Sequence, residues 1–123
     1  GVVLAYTGDT GPCDDAIELG RNADLFLCEA TYQNSSKLYP FHLSAAQAGE
    51  GATAAGVDHL VLTHLTPELD HRISIREAAE TFTGHLDIAV PMFRDKDWKY
   101  YEAGALGFGV KTLVDLCERF RES

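Results

Sequence analysis

The sequence has no apolar stretch long enough to cross a bilayer, and its three cysteines, Cys13, Cys28 and Cys117, form no C-x-x-C pair. A membrane helix needs about 20 consecutive apolar residues, and a disulfide framework or thiolate metal knuckle needs paired cysteines. Neither class fits, these residues show no signal-peptide pattern, and the thiols read as reduced ones in a cytoplasmic protein. Basic residues are also scarce: 10 Lys and Arg stand against 19 Asp and Glu, a net charge of −9. An acidic surface repels phosphate backbones, which disfavours broad nucleic-acid binding through this segment. Phosphate substrates at a metal centre stay open, because a bound cation dominates its local field. Repeats and low-complexity tracts are absent, and 123 residues with 46% hydrophobic content suit one modest domain. The chain starts inside an apolar run without a methionine, which reads as a fragment or one half of a larger fold.

What is present is an alternation of strand and helix signals. Val2 to Tyr6 is a short apolar run without helical period, hence a buried strand. Thr7-Gly8-Asp9-Thr10-Gly11-Pro12 follows: the glycines allow a tight loop, and Pro12 suits the first turn of a helix running to Arg21. Asp24 to Cys28 reads as a second strand that delivers Glu29-Ala30-Thr31-Tyr32. A polar, mobile loop from Gln33 to Phe41 closes on His42-Leu43-Ser44. Ser44 with Gln47 forms a capping box and opens a small-residue helix ending at Gly56. His59 to Thr63 is a third strand, leading into His64-Leu65-Thr66-Pro67. Ser74 with Glu77 reads as a second capping box, its helix ending near Phe82, and Leu86 to Val90 as a fourth, weaker strand. The pattern predicts an α/β layer with a largely parallel sheet over residues 1–98. Residues 99–123 form a distinct tail, where Val110, Leu113, Val114 and Cys117 follow helical spacing. They predict an amphipathic helix from Ala105 to Arg121 that docks on the body or on a partner.

Three strands therefore hand Asp9, Glu29 and His64 to one sheet edge, with His42 at the end of the intervening loop. Asp and His suit zinc, manganese or iron. A Glu beside a His suits an oriented proton donor. Plainer roles exist for each: Asp9 as a turn or cap residue, His42 and His64 as loop histidines, Cys28 as strand filler. His59, His71 and His85 read as solvated. Asp9-Thr10-Gly11 after an apolar strand also matches the signature of a homodimeric aspartic protease, although the capping boxes predict helices that an all-β protease lacks.

Thr7-Gly8-Asp9-Thr10-Gly11, Cys28-Glu29-Ala30-Thr31-Tyr32, His42-Leu43-Ser44 and Leu62-Thr63-His64-Leu65, in that order, resemble the carboxyl-terminal half of a metallo-β-lactamase fold hydrolase. The branch is the ribonuclease Z-like one, which includes cyclic-nucleotide phosphodiesterase-like members. The resemblance covers residues 2 to 98 and implies half of an αββα sandwich. It implies that Asp9 bridges two divalent metal ions, zinc or else manganese, and that His64 completes the second metal site. It also implies that Glu29 and His42 form the pair that protonates the leaving oxygen, in hydrolysis of a phosphodiester at an RNA end or in a small cyclic nucleotide. Cys28 replaces the histidine of the family's H-E-A-T motif. The H-x-H-x-D-H motif that supplies most metal ligands is missing, as is the histidine expected before Asp9. An N-terminal half or a partner chain is expected to supply them, and an exposed apolar sheet face is expected to bind it, with a homo-oligomer as one arrangement. The alternative is an inactive or structural half-domain.

Overall fold

A computed structural model describes residues 1–89 in full and 93–94 and 104–105 as strand backbone. The elements are β1 (Leu4–Tyr6), α1 (Asp14–Gly20), β2 (Leu25–Glu29), α2 (Ala45–Ala55), β3 (His59–Thr63), α3 (His71–Ala78), β4 (His85–Ile88), β5 (Phe93–Arg94) and β6 (Gly104–Ala105). Strands β1 to β4 form one parallel sheet in chain order, and β5 pairs antiparallel with β6. In register, Tyr6 stands beside Leu27, and Glu29 beside Thr63. Parallel strands joined by right-handed crossovers, each stepping one place the same way, put every helix on one face. The core agrees: Phe26, Cys28, Leu60 and Leu62 of the sheet cluster with Ala45, Ala48, Ala52 and Ala55 of α2, Ala78 of α3 and Ile17 of α1. The expected α/β architecture is thus the observed one. Its helices exclude the all-β aspartic protease.

Alternation along the strands sends Leu25, Leu27 and Val61 to the opposite face, where they form a second cluster with Leu4 and Ala89. All three are buried, so this face is not the bare apolar surface expected from the sequence. Exposed apolar side chains gather elsewhere, at Val2, Val3 and Tyr6 along the β1 edge and at Leu38, Tyr39 and Phe41 in the β2–α2 loop. No helix among the described residues is long and apolar enough to cross a membrane.

Helix α2 starts as its sequence dictates. Ser44 accepts from the Gln47 N–H at 3.2 Å, and the Gln47 side chain accepts from the Ser44 N–H at 2.9 Å. Gly56 closes the helix in the left-handed region at φ 73°. Helix α1 is shorter than expected, beginning at Asp14 after Pro12 and Cys13. The Ser74–Glu77 capping box is a misreading. Asp70 caps α3, accepting from the Arg72 N–H at 3.0 Å, and the helix ends at Ala78 rather than near Phe82. Residues three apart lie on the same helix face wherever they fall, so a Ser-x-x-Glu inside a helix imitates its start. Ser74 and Glu77 hold the β2–α2 loop instead. The Gln33 amide donates to Ser74 Oγ at 2.9 Å, and the Asn34 N–H donates to Glu77 at 3.0 Å. The loop read as mobile is therefore anchored at its first residues. Ala105, the expected first residue of the tail helix, pairs with Phe93 in a strand; the rest of that helix lies outside the described residues.

Close packing of α2 on α3 depends on one glycine. A Cβ at Gly49 would run into the Ala78 carbonyl, whereas one at Gly51 would meet nothing. Gly49→Ala is expected to cost about 1–3 kcal/mol as overpacking, and Gly51→Ala to add about 0.4–1 kcal/mol by restricting the unfolded chain. Urea midpoints of the two variants check the opposite signs.

Candidate active site

The carboxyl edge of the sheet collects Asp9, Glu29, His42 and His64, with one ligand-capable atom from each lying within 4.8 Å of the others. Each arrives by a different local device. Beyond β1, Thr7 continues the ladder to Leu27 O at 3.1 Å, and Gly8 then turns the chain at φ 60°. This brings Asp9 over the sheet edge. Gly11 passes so close to the Pro40 backbone that a Cβ there would collide with its carbonyl. Glu29 is the last residue of β2, 1% exposed. His64 follows β3 directly in the left-handed region at φ 56°, an uncommon conformation in which His is several-fold enriched. Its loop is fixed by Thr66, whose hydroxyl donates to Thr31 O at 2.7 Å. His42 ends the β2–α2 loop, where Tyr32 accepts from Ala45 N–H and donates to Leu43 O.

The Glu29 carboxylate is the hub. Oε1 accepts from the Thr10 N–H at 2.9 Å and faces His42 Nδ1 at 2.7 Å. Oε2 accepts from the Thr31 N–H at 3.2 Å, the Thr31 hydroxyl at 2.9 Å and the Leu43 N–H at 3.1 Å. A buried charge is tolerated when it is so fully bonded. With Glu29 as acceptor, His42 donates from Nδ1 and keeps Nε2 for other work. The His42 and His64 rings stack with centroids 5.1 Å apart, and Tyr32 meets His42 edge-on at 5.8 Å. His64 Nε2 lies 3.4 Å from Asp9 Oδ1, an imidazole–carboxylate pair of the kind that divalent zinc or manganese accepts. The donor chemistry fits a cation, although two ligands are fewer than a catalytic zinc site uses.

The negative field reaches the neighbours. Burial, then Asp9, then Glu29 push the Tyr6 phenol up. Burial, followed by the Glu29 charge, pushes the Cys28 thiol up to about 12. The residue that replaces the motif's histidine thus points into the core as an inert thiol. Of the histidines read as solvated, His85 is exposed and its ring lies 5.3 Å from that of the half-buried His59. His71 departs from that reading, with its Nε2 buried and no hydrogen-bond partner among the described residues. Sequence reading passed over Thr31 and the Thr10 and Leu43 amides. The signal for Thr31 was its position two residues after Glu29, the period that puts two strand-like side chains on one side.

The model of the beta-lactamase superfamily domain matches residues 1–65. The chain belongs to that superfamily. A ribonuclease Z from Thermobifida fusca is 42% identical over 101 residues, covering 76% of this chain and 31% of that protein. An uncharacterized protein of Mycobacterium tuberculosis is 46% identical over 91 residues, covering 73% of this chain and 33% of its own length. Among solved structures, the metallo-β-lactamase fold protein YhfI from Bacillus subtilis superposes with TM-score 0.65 at 32% identity, over 70% of this chain and 36% of that one. A diphosphatase of the PhnP family shares the fold, with TM-score 0.55 at 20% identity over 85% of this chain and 38% of that one. The superfamily member described here thus spans about a third of the length of its curated relatives, and its ribonuclease Z-like character is the one its motifs imply.

The two described cysteines should separate chemically. Native protein treated with iodoacetamide at pH 8 is expected to be alkylated at the exposed Cys13 and spared at Cys28 until denaturant is added. Peptide mass spectrometry reads both; alkylation of Cys28 in the folded protein would contradict its placement.

Proposed function

We propose that this chain forms part of a metal-dependent hydrolase of phosphodiester bonds. The observation that carries the reading is the Glu29–His42 pair at 2.7 Å, set beside a facing Asp9–His64 pair in one cluster. The ribonuclease Z relatives support the substrate class, an RNA end or a small cyclic nucleotide. The acidic composition, with a net charge of −9, favours the small substrate, or RNA contacts made outside these residues.

Asp9 and His64 would hold divalent metal, two ions in the full site, zinc or else manganese. Further ligands would come from an N-terminal segment or a partner chain carrying H-x-H-x-D-H, a motif that a second copy of this chain would not bring. The metal, when bound, supplies Lewis-acid polarisation of the phosphoryl group and an activated water. Glu29 accepts the Nδ1 proton of His42 and so orients the ring. His42 then gives the proton on Nε2 to the departing oxygen. Residues 1–98 would carry this chemistry and residues 99–123 a separate tail. The free thiols of Cys13 and Cys28 fit a reducing cytoplasm.

Two substitutions in the complete metal-loaded protein separate the roles. Asp9→Ala should abolish stoichiometric metal, whereas His42→Ala should keep the metal and lower turnover of a cyclic nucleotide by about 10²–10⁴-fold. Metal content by plasma mass spectrometry, beside initial rates, checks both. Loss of metal in His42→Ala with retention in Asp9→Ala would reverse the assignment, and a metal-free, well-folded assembly would make the chain a structural half-domain.

A further inference from the structure

We propose that Thr31 is a positioning residue whose hydroxyl extends the control of Glu29 from His42 to His64 and holds the His64 proton on Nδ1, leaving Nε2 bare toward Asp9. Thr31 Oγ1 lies 2.9 Å from Glu29 Oε2 and 2.7 Å from His64 Nδ1. A hydroxyl has one proton to give and lone pairs with which to accept, and a carboxylate only accepts. The Thr31 proton therefore goes to Glu29. The shorter contact, to His64, is attractive only if Nδ1 carries a hydrogen that the hydroxyl oxygen receives. In the neutral ring this leaves Nε2 as a bare lone pair, and Nε2 is the atom 3.4 Å from Asp9 Oδ1. Two acceptors facing each other at that separation form a seat for a shared cation.

The hydroxyl is well held. The Thr31 N–H donates to the same carboxylate oxygen at 3.2 Å, and the Thr31 carbonyl accepts from Thr66 at 2.7 Å. His64 needs such a hold, because its left-handed backbone at φ 56° breaks away from the strand that would otherwise direct its side chain. Both stacked imidazoles thus address one buried carboxylate through Nδ1, His42 directly and His64 through Thr31. The carboxylate that orients the proton donor also orients the metal ligand, so a change at Glu29 would reach both functions.

The significance for metal binding rests on the proposed roles of Asp9 and His64. The tautomer does not, and it is read on the metal-free chain, which keeps the two failures distinct. Long-range ¹H–¹⁵N spectra of the imidazoles at about pH 8.5, above the ordinary titration range of imidazole, report which nitrogen bears the proton. The expected result is Nδ1–H for His64 in the wild type, redistribution toward Nε2–H in Thr31→Val, and recovery in Thr31→Ser. In the complete protein, Thr31→Val should weaken zinc binding about 10–100-fold, with Thr31→Ser close to wild type. A wild-type His64 protonated on Nε2 overturns the proposal, whether or not Thr31→Val folds. An unchanged tautomer in a folded Thr31→Val overturns it equally.

Discussion

The site depends on one buried carboxylate. Glu29 sits at the carboxyl end of β2 at 1% exposure, where an ionised group without partners would be strongly disfavoured. It is tolerated because three separate segments supply donors: the β1–α1 loop through Thr10, the strand end through Thr31, and the close of the β2–α2 loop through His42 and Leu43. Each donor is also a geometric restraint. The carboxylate therefore determines where the Asp9 loop lies and how the imidazole of His42 is turned, and through Thr31 it touches His64. Losing it would leave the buried Leu43 N–H unpaired, at a cost of about 1–3 kcal/mol, together with the half-buried Thr10 and Thr31 N–H groups.

The rest of the fold brings these segments to the hub. A four-stranded parallel sheet in chain order sends every strand end the same way, so residues far apart in sequence meet at one edge. The small residues of α2 let it pack closely on this sheet and against α3. The β2–α2 loop is pinned at both ends, by Gln33 and Asn34 on α3 and by the Tyr32–Ser44 bridge. His42, two residues before the Ser44 cap, is held near this second anchor and by its contact with Glu29. Between those anchors the loop exposes Leu38, Tyr39 and Phe41, and Tyr32 links the site to them, edge-on to His42 and tilted against Tyr39 with ring centroids 6.4 Å apart.

Much of this was legible in the residues. Short apolar runs bounded by glycine and polar loops located four strands, and the Ser44–Gln47 pair marked the start of α2 to the residue. Residues at the ends of parallel strands share an edge, so the sequence alone groups Asp9, Glu29 and His64. The failures came from patterns that are locally ambiguous. Ser74 and Glu77 have the spacing of a cap, yet they lie within a helix and serve a loop 41 and 43 residues upstream, a tertiary contact with no local signal. The Thr31 relay depends on the direction of one hydroxyl proton, which spacing alone does not show. The burial of Leu25, Leu27 and Val61 could not be read from strand composition either, because alternation shows only that the second face is apolar.

The central claim is that His42, held by Glu29, delivers the leaving-group proton. It is tested most directly by leaving-group dependence in the complete metal-loaded protein. A departing nucleoside hydroxyl needs that proton, whereas p-nitrophenolate leaves without it. Turnover of a nucleoside phosphodiester and of a p-nitrophenyl phosphodiester should be compared in the wild type and in His42→Ala. The account predicts a loss of about 10²–10⁴-fold for the nucleoside ester and little change for the p-nitrophenyl ester. Equal losses on both substrates would contradict it and make His42 a structural or metal-site residue.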